Sequence, residues 1–325
     1  MQQNFWKGRR VFITGATGFV GSWLVKELLC AEAKLVVLVR DADPQSELYR
    51  SQDIHRIAVV CGALEDFNTL SRALNEHEIE TVFHLGAQPL VEVALRSPFQ
   101  TFESNIRGTY NLLEACRLYP TLIKQVVIAS SDKAYGEHSL LPYMEDFALQ
   151  GRAPYEVSKS CADMLAQSYY FMYGLPVGIA RCGNIYGGGD LNWSRIVPGT
   201  IRSFLKGEQP IIRSDGKFIR DYIYIKDICT AYIRLAEALA DATYHGQAFN
   251  FSPAAPMSVL DMVYAIQRLM NCPHLLPDIR NYARNEIKHQ YLSAEKAFRL
   301  LGWQPEFTIE TGLRETITWY QEYLR

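Results

Sequence analysis

The chain has 325 residues, enough for one large domain or two closely packed ones, with 48% apolar and 21% charged residues. A net charge of −2 argues against a nucleic-acid footprint, and no apolar run reaches the ~20 residues of a membrane span. Seven cysteines, odd in number and without a C-x-x-C pair, predict free thiols in a reducing cytoplasm rather than disulfides or a zinc site. The chain opens with no signal-peptide pattern, so the expected location is cytoplasmic, with neither nucleic acid nor membrane as partner.

The predicted elements alternate. "RRVFIT" (9–14) reads as a strand and "FVGSWLVKELLCAEA" (19–33) as an amphipathic helix. "KLVVLVR" (34–40) and "RIAVVCG" (56–62) are strands, "DFNTLSRALNEHE" (66–78) a helix, and "TVFHLGA" (81–87) the fourth strand. Residues 97–120 read as one long helix, "KQVVIASS" (124–131) as a strand, and 154–174 as a second long helix. "PVGIARCGNIYG" (176–187) closes the series as one strand. Apolar β-branched runs alternating with helices predict an α/β fold, a doubly wound parallel sheet covered on both faces. Past Gly187 the elements shorten and Gly and Pro interrupt them, which predicts a smaller C-terminal domain packed on the first. "YHGQAFNFS" (244–252) is expected to return one strand to the main sheet. The expected division is 1–181 plus about 222–252 for the first domain, and 182–221 plus 253–325 for the second.

"TGATGFVGSWL" sets Gly15, Gly18 and Gly21 between the first strand and first helix. Gly15 allows the tight turn, Gly18 lets a pyrophosphate approach, and Gly21 lets helix and strand pack closely, the pattern of a Rossmann-type dinucleotide site. The second strand ends in Arg40 followed by Asp41. An acidic residue there bonds the NAD ribose and an arginine suits the NADP phosphate, so the choice between NAD and NADP stays open. Tyr155 and Lys159 stand four apart at a helix start and share one face. A free phenol titrates near ~10, and a neighbouring ammonium together with a nicotinamide cation would favour its ionised, basic form. One element earlier, "SSDKAYG" (130–136) puts a hydroxyl, a carboxylate and an ammonium side by side at the end of a buried strand.

Gly15/Gly18/Gly21, Ser131, Tyr155 and Lys159 together resemble an extended short-chain dehydrogenase/reductase of the nucleotide-sugar epimerase/dehydratase class. "VFHLGAQPLV", "SNIRGTYNLLEAC", "RCGNIYGGGDLNWSRIVPGTIR" and "YLSAEKAFRLLGWQP" carry that resemblance over essentially the whole chain. "HLGAQPLV", "SSDKAYG" and "GGGDLNWSRIVP" are most similar to the branch acting on CDP-glucose, while "IRSDGKFIRDYIYIKD" is more like the class at large. The resemblance implies a tightly held NAD or NADP, a nucleotide-diphosphate hexose as substrate, and a homodimer built as a four-helix bundle from 97–119 and 154–173. The implied reaction is 4,6-dehydration: C4 is oxidised, water leaves across C5 and C6, and hydride returns to C6. Ser131 would bond the C4 oxygen, Tyr155 and Lys159 would serve the oxidation, Asp132 would protonate O6, and Lys133 would take the C5 proton where thymidine-linked relatives carry Glu. Cofactor contacts carried over are Gly15, Thr17, Gly18, Phe19, Val20, Gly21, Arg40, Leu64, Leu85, Ala87, Asn105, Tyr155 and Lys159. Substrate contacts are Gln88, Asn184, Arg195, Ile196, Val197, Arg220 and Arg284, with His289 an alternative to Arg284, and no metal is expected. Ala63 departs from the class, where many members carry an Asp near the adenine. Two rivals share these residues: a 4-epimerase, which needs Ser131, Tyr155 and Lys159 but not Asp132 and Lys133, and a silent dinucleotide sensor, which needs none of them.

Overall fold

The structure, a computed structural model, describes residues 3–282 and 286–325. Seven aliphatic runs form one parallel sheet: β1 (Arg10–Thr14), β2 (Lys34–Val39), β3 (Ala58–Cys61), β4 (Thr81–His84), β5 (Gln125–Ala129), β6 (Val177–Cys182) and β7 (Ala248–Phe251). Their spatial order is β7-β6-β5-β4-β1-β2-β3, the Rossmann-type arrangement. Val11 pairs with Leu35 on one side and Thr81 on the other, so the order reverses between β1 and β4. Ligands bind at such a reversal, outside the carboxyl ends of the strands.

Both faces of the sheet are buried, and successive residues serve opposite faces. Val11, Ile13, Val37, Phe83 and Val127 pack with the helices Phe19–Cys30 and Ile225–Ala238. Phe12, Val36, Leu38, Val82, Val126 and Ile128 pack with Phe67–Glu76, Gly108–Arg117 and Pro154–Tyr173. The remaining region carries short strands: Ile211–Ile212 with Asp278–Ile279, and Ile219–Arg220 between Met257–Ser258 and His289–Gln290.

Two expectations change here. The run 97–120 is not one α-helix: Pro98–Phe102 and Gly108–Arg117 flank a π-helical turn, Glu103–Arg107. The strand expected over 176–187 stops at Cys182, and Asn184–Tyr186 leaves the main sheet to pair with Tyr222–Tyr224. Gly183 makes the bend beside Asp221, where an added Cβ would lie 3.0 Å from the Asp221 Cβ.

Candidate active site

A cavity of about 1250 Å³ opens over the carboxyl ends of the strands and runs from the glycine turn to the C-terminal region. The turn itself follows from its glycines. Gly15 has φ +75°, and a Cβ there would meet the Gly86 nitrogen at 2.6 Å. A Cβ on Gly21 would fall 2.1 Å from the Gly15 carbonyl oxygen, so only glycine lets the helix pack this close. Gly18 differs. Its backbone is extended (φ −79°, ψ 172°) and its nearest obstacle is 3.2 Å away. Gly18 caps the helix Phe19–Cys30 with no side chain over the first amides, which leaves that helix end free for an anion.

Ser131, Asp132 and Lys133 follow β5 in a short 3₁₀ turn, Asp132–Tyr135. The neighbouring polar groups hold that turn. Ser130 Oγ donates to Asp163 at 2.8 Å, and the Tyr135 hydroxyl donates to Asn250 at 2.7 Å and accepts from Arg181 at 2.8 Å. The polar groups of "SSDKAYG" thus differ in partner: Ser130 and Tyr135 anchor the turn through Asp163, Asn250 and Arg181, and Ser130 lines the cavity together with Ser131, Asp132 and Lys133. Ser131 Oγ donates to Asp132 Oδ1 at 2.9 Å, and Lys133 Nζ lies 3.1 Å from Asp132 Oδ2. Burial pushes the Lys133 amine below its ordinary pKa, Asp132 opposes that shift, and Arg220 adds to it.

Tyr155 and Lys159 line the same cavity from the start of the helix Pro154–Tyr173. Burial raises the Tyr155 phenol to about 12, against which the charge of Arg195 pulls downward. Burial lowers the Lys159 amine to about 8, and its Nζ donates to the Ala129 carbonyl at 2.8 Å. The helix Ile196–Leu205 starts at Arg195 without a side-chain cap and adds Arg195, Ile196 and Val197 to the wall. Arg195 is held by buried Asp190 at 3.0 Å.

Of the expected contacts, Thr17, Phe19, Val20, Arg40, Leu64, Leu85, Ala87, Asn184 and Arg220 also line the cavity. Arg40 and Asp41 both sit at its edge and pair with each other at 2.6 Å. Arg220 donates to the carbonyls of Ile219, Ile287 and Lys288, so much of its guanidinium is engaged by the backbone. Gln88 and Asn105 are not among the lining residues. Asn105, in the π-turn, holds the Gln88 main chain at both its N–H (2.7 Å) and its carbonyl (3.1 Å), and Gln88 turns its amide onto Leu90. Asn105 also donates to Ser158 Oγ at 2.9 Å, so both amides are engaged by protein groups. Arg284 lies outside the described residues.

Sequence reasoning overlooked a chain of bonds behind the glycine turn. The Gly86 amide donates to Thr14 Oγ1, which lies 2.8 Å from His84 Nδ1; His84 Nε2 lies 3.0 Å from Thr109 Oγ1, which donates to the Asn105 carbonyl. With the Thr109 hydroxyl proton committed, His84 carries its proton on Nε2 and accepts at Nδ1. Burial pushes this imidazole down to about 3, so it stays neutral. Gln290 was overlooked as well; it accepts from Lys133 Nζ at 2.5 Å. Among the described residues no cluster of His, Cys, Asp and Glu is placed to hold a metal, and no helix is long and apolar enough to cross a membrane.

A family model described as GDP-mannose 4,6 dehydratase matches residues 12–316. The chain belongs to that family. It is 30% identical to the CDP-glucose 4,6-dehydratase of Salmonella typhimurium, across all of this chain and 94% of the relative. It is 29% identical to the UDP-glucuronate 4-epimerase of Thermodesulfobacterium geofontis, across 95% of each. Among solved structures, the dTDP-glucose 4,6-dehydratase of Bacillus anthracis in complex with NAD superposes with a TM-score of 0.85 at 26% identity, covering 97% of both chains. The resemblance read from the motifs holds, and with it the Rossmann-type fold.

The glycine turn of this family member fits NAD or NADP on its own geometry: an uncapped helix end, and a glycine whose conformation does not require glycine. Gly18→Val should therefore fold, with its thermal midpoint lowered by a few degrees as the Gly15 carbonyl yields to the new side chain, and lose dinucleotide affinity by ~10- to 100-fold, the cost of overfilling a tight site. Calorimetric titration of the stripped protein with NAD and NADP measures this. Full occupancy in the valine variant would place the cofactor elsewhere.

Proposed function

We propose that this chain is a nucleotide-diphosphate-hexose 4,6-dehydratase, a lyase that forms a 4-keto-6-deoxy sugar, with CDP-glucose as the best-supported substrate. The observation that carries the proposal is the Asp132–Lys133 pair facing the same cavity as Ser131, Tyr155 and Lys159. An enzyme that only oxidises or inverts C4 has no use for an acid and a base beside the serine. The choice of CDP-glucose rests on the Salmonella relative and on Lys133 at the position of the C5 base.

When bound, the nicotinamide supplies a two-electron acceptor that takes hydride from sugar C4 and later returns it to C6. Tyr155 takes the proton of the C4 hydroxyl, and Ser131 holds the C4 oxygen. The C4 ketone then acidifies the C5 hydrogen. Lys133, as free amine, takes that proton, and the C5–H electron pair becomes the C5–C6 double bond as the C6–O bond breaks. Asp132, as carboxylic acid, gives its proton to departing O6, and water leaves. The two residues need no net proton exchange to begin, because ammonium with carboxylate and amine with carboxylic acid hold the same number of protons. Burial favours the free amine of Lys133. Elimination leaves Lys133 as ammonium and Asp132 as carboxylate; Lys133 returns its proton to C5 as C6 regains hydrogen, and the proton Tyr155 took from the C4 hydroxyl passes through solvent to Asp132, which resets all three groups. Asn184, Arg195 and Arg220, with the open start of Ile196–Leu205, are the proposed diphosphate contacts.

The reading is tested by incubating the protein with CDP-, dTDP-, GDP- and UDP-hexoses and following product mass. Loss of one water is expected, first with CDP-glucose. Unchanged mass with altered retention marks 4-epimerisation and overturns the dehydratase.

The protein is further proposed to act as a homodimer in the cytoplasm. Phe99 (68% exposed), Met164 (60%) and Phe171 (84%) are large apolar groups left open on the two long helical segments. Pairing these segments between two chains forms a four-helix interface. Light scattering at micromolar concentration should give twice the 37.0 kDa chain mass, and Phe171→Glu should shift it toward monomer. The seven cysteines are unpaired, which suits a reducing compartment. The domain division expected from sequence is retained as a proposal.

A further inference from the structure

Gln290 belongs to none of the motifs above. It is fully buried (0% exposed), yet both ends of its amide engage the acid–base pair. Its Oε1 accepts from Lys133 Nζ at 2.5 Å, and its Nε2 donates to the main-chain carbonyl of Asp132 at 3.0 Å. That carbonyl can only accept, which fixes the end of the amide that faces Lys133. Gln290 arrives from the C-terminal region. It lies in the two-residue strand His289–Gln290, opposite Arg220 in the register, and meets Lys133 across 157 positions of sequence.

We infer that Gln290 is a positioning residue that aims the Lys133 amine at the substrate. The inference rests on the reading of Lys133 as the C5 base. A lysine nitrogen has three directions besides its bond to Cε. The Asp132 carboxylate takes one N–H, shared between Oδ2 at 3.1 Å and Oδ1 at 3.3 Å, and the Gln290 oxygen takes a second. The third direction holds the last proton of the ammonium, or the lone pair of the free amine. Lys133 lines the cavity with its side chain 20% exposed, so this third direction is the one left for substrate. An amide oxygen cannot donate, so it binds an N–H and never competes for the lone pair. It is also neutral. The charged or titratable groups felt at Lys133 are Asp132, Arg220, Glu156 and Asp221. Adding a second carboxylate in contact would hold the amine protonated, whereas an amide fixes its direction without that cost.

The test uses the dinucleotide-loaded enzyme with Gln290→Leu and the near-isosteric Gln290→Glu. In Q290L, overall turnover should fall by ~10- to 100-fold, the usual penalty for a displaced reacting group. The first oxidation at C4, served by Ser131, Tyr155 and Lys159, should keep its wild-type rate, so reduced nicotinamide builds up after mixing. In Q290E, the pH at which the Lys133 amine becomes reactive to acetic anhydride should rise by ~1 unit or more, read by peptide mass without substrate. The labelling arm needs only a folded protein, so it decides the matter should Q290L misfold. Unchanged turnover in Q290L, equal slowing of both steps, or an unmoved labelling midpoint in Q290E overturns the inference. Wild-type turnover in Lys133→Met removes instead the dehydratase reading beneath it, so the two failures are distinguishable.

Discussion

Tyr155→Phe should lower turnover by ~10²- to 10⁴-fold while leaving the thermal midpoint and dinucleotide binding close to wild type. The substitution keeps the ring and its packing and removes only the ionisable oxygen. Burial pushes that phenol up to about 12. At neutral pH almost none of it is ionised, so the bound state must supply positive charge. Arg195 already acts in that direction. In the proposed mechanism Lys159, one helical turn on, supplies the second charge while protonated, and burial lowers its amine to about 8. The sign of the pH effect follows. Below about 8 the ammonium is present and supports the phenolate; above it that support is lost. The kcat/KM profile of the wild type should therefore fall on its alkaline side near pH 8, and Lys159→Met should abolish activity rather than move that limb. Near-normal turnover in Tyr155→Phe would remove the phenol from the mechanism.

The sheet was legible because burial on both faces forces near-continuous aliphatic runs such as "KLVVLV" and "QVVIA", rich in β-branched residues and alternating with helical patterns. The two elements misread are places where the local pattern does not record the deviation. Residues 97–120 keep a helical composition through the π-turn, because a π-turn adds one residue without a Gly or Pro to mark it. What holds it is remote: Asn105 reaches the Gln88 main chain and Ser158. The strand 176–187 stayed apolar past Gly183, but its second half finds its partner in Tyr222–Tyr224, a pairing no local pattern encodes.

The site divides in the same way. Gly15, Gly18, Gly21, Tyr155 and Lys159 were legible because turn geometry and helical spacing constrain them locally. Ser131, Asp132 and Lys133 stood out because polar groups at the end of a buried strand require a reason. Gln290 left no signal. It is one polar residue in "KHQYLS", and its meaning depends on a fold that carries it to Lys133. His84 was likewise hidden: in "TVFHLGA" it reads as a tolerated polar residue, and only its bonded neighbours Thr14 and Thr109 reveal a neutral imidazole that ties β1 and β4 to the π-turn. Gln88 and Asn105 show the reverse. Motif position marked them as ligand contacts, and their hydrogen bonds to each other, to Leu90 and to Ser158 add a wall-supporting part that the motif does not show.

Asp132→Asn should stop the reaction halfway. Asparagine keeps the shape of the side chain and can still hydrogen-bond O6, but it has no acidic proton to give. Oxidation at C4 does not use that proton, so it should proceed when the correct nucleotide hexose is added. The stall is then read as near-ultraviolet absorbance of reduced nicotinamide, with little 4-keto-6-deoxy product and an overall loss of ~10²- to 10⁴-fold. Lys133→Met should stall at the same stage for the complementary reason, since the C5 proton has no acceptor. The two losses should not add. Asp132 and Lys133 are in contact and serve the same elimination, so the double variant should be little worse than either single one, as for groups that act as a unit. A 4-epimerase answers differently at each point: Asp132→Asn would slow inversion modestly, with no separation of oxidation from product formation. If both single variants keep wild-type turnover on the true substrate, the acid and base beside Ser131 have no part in the chemistry, and C4 inversion becomes the reaction that the remaining Ser131, Tyr155 and Lys159 can perform.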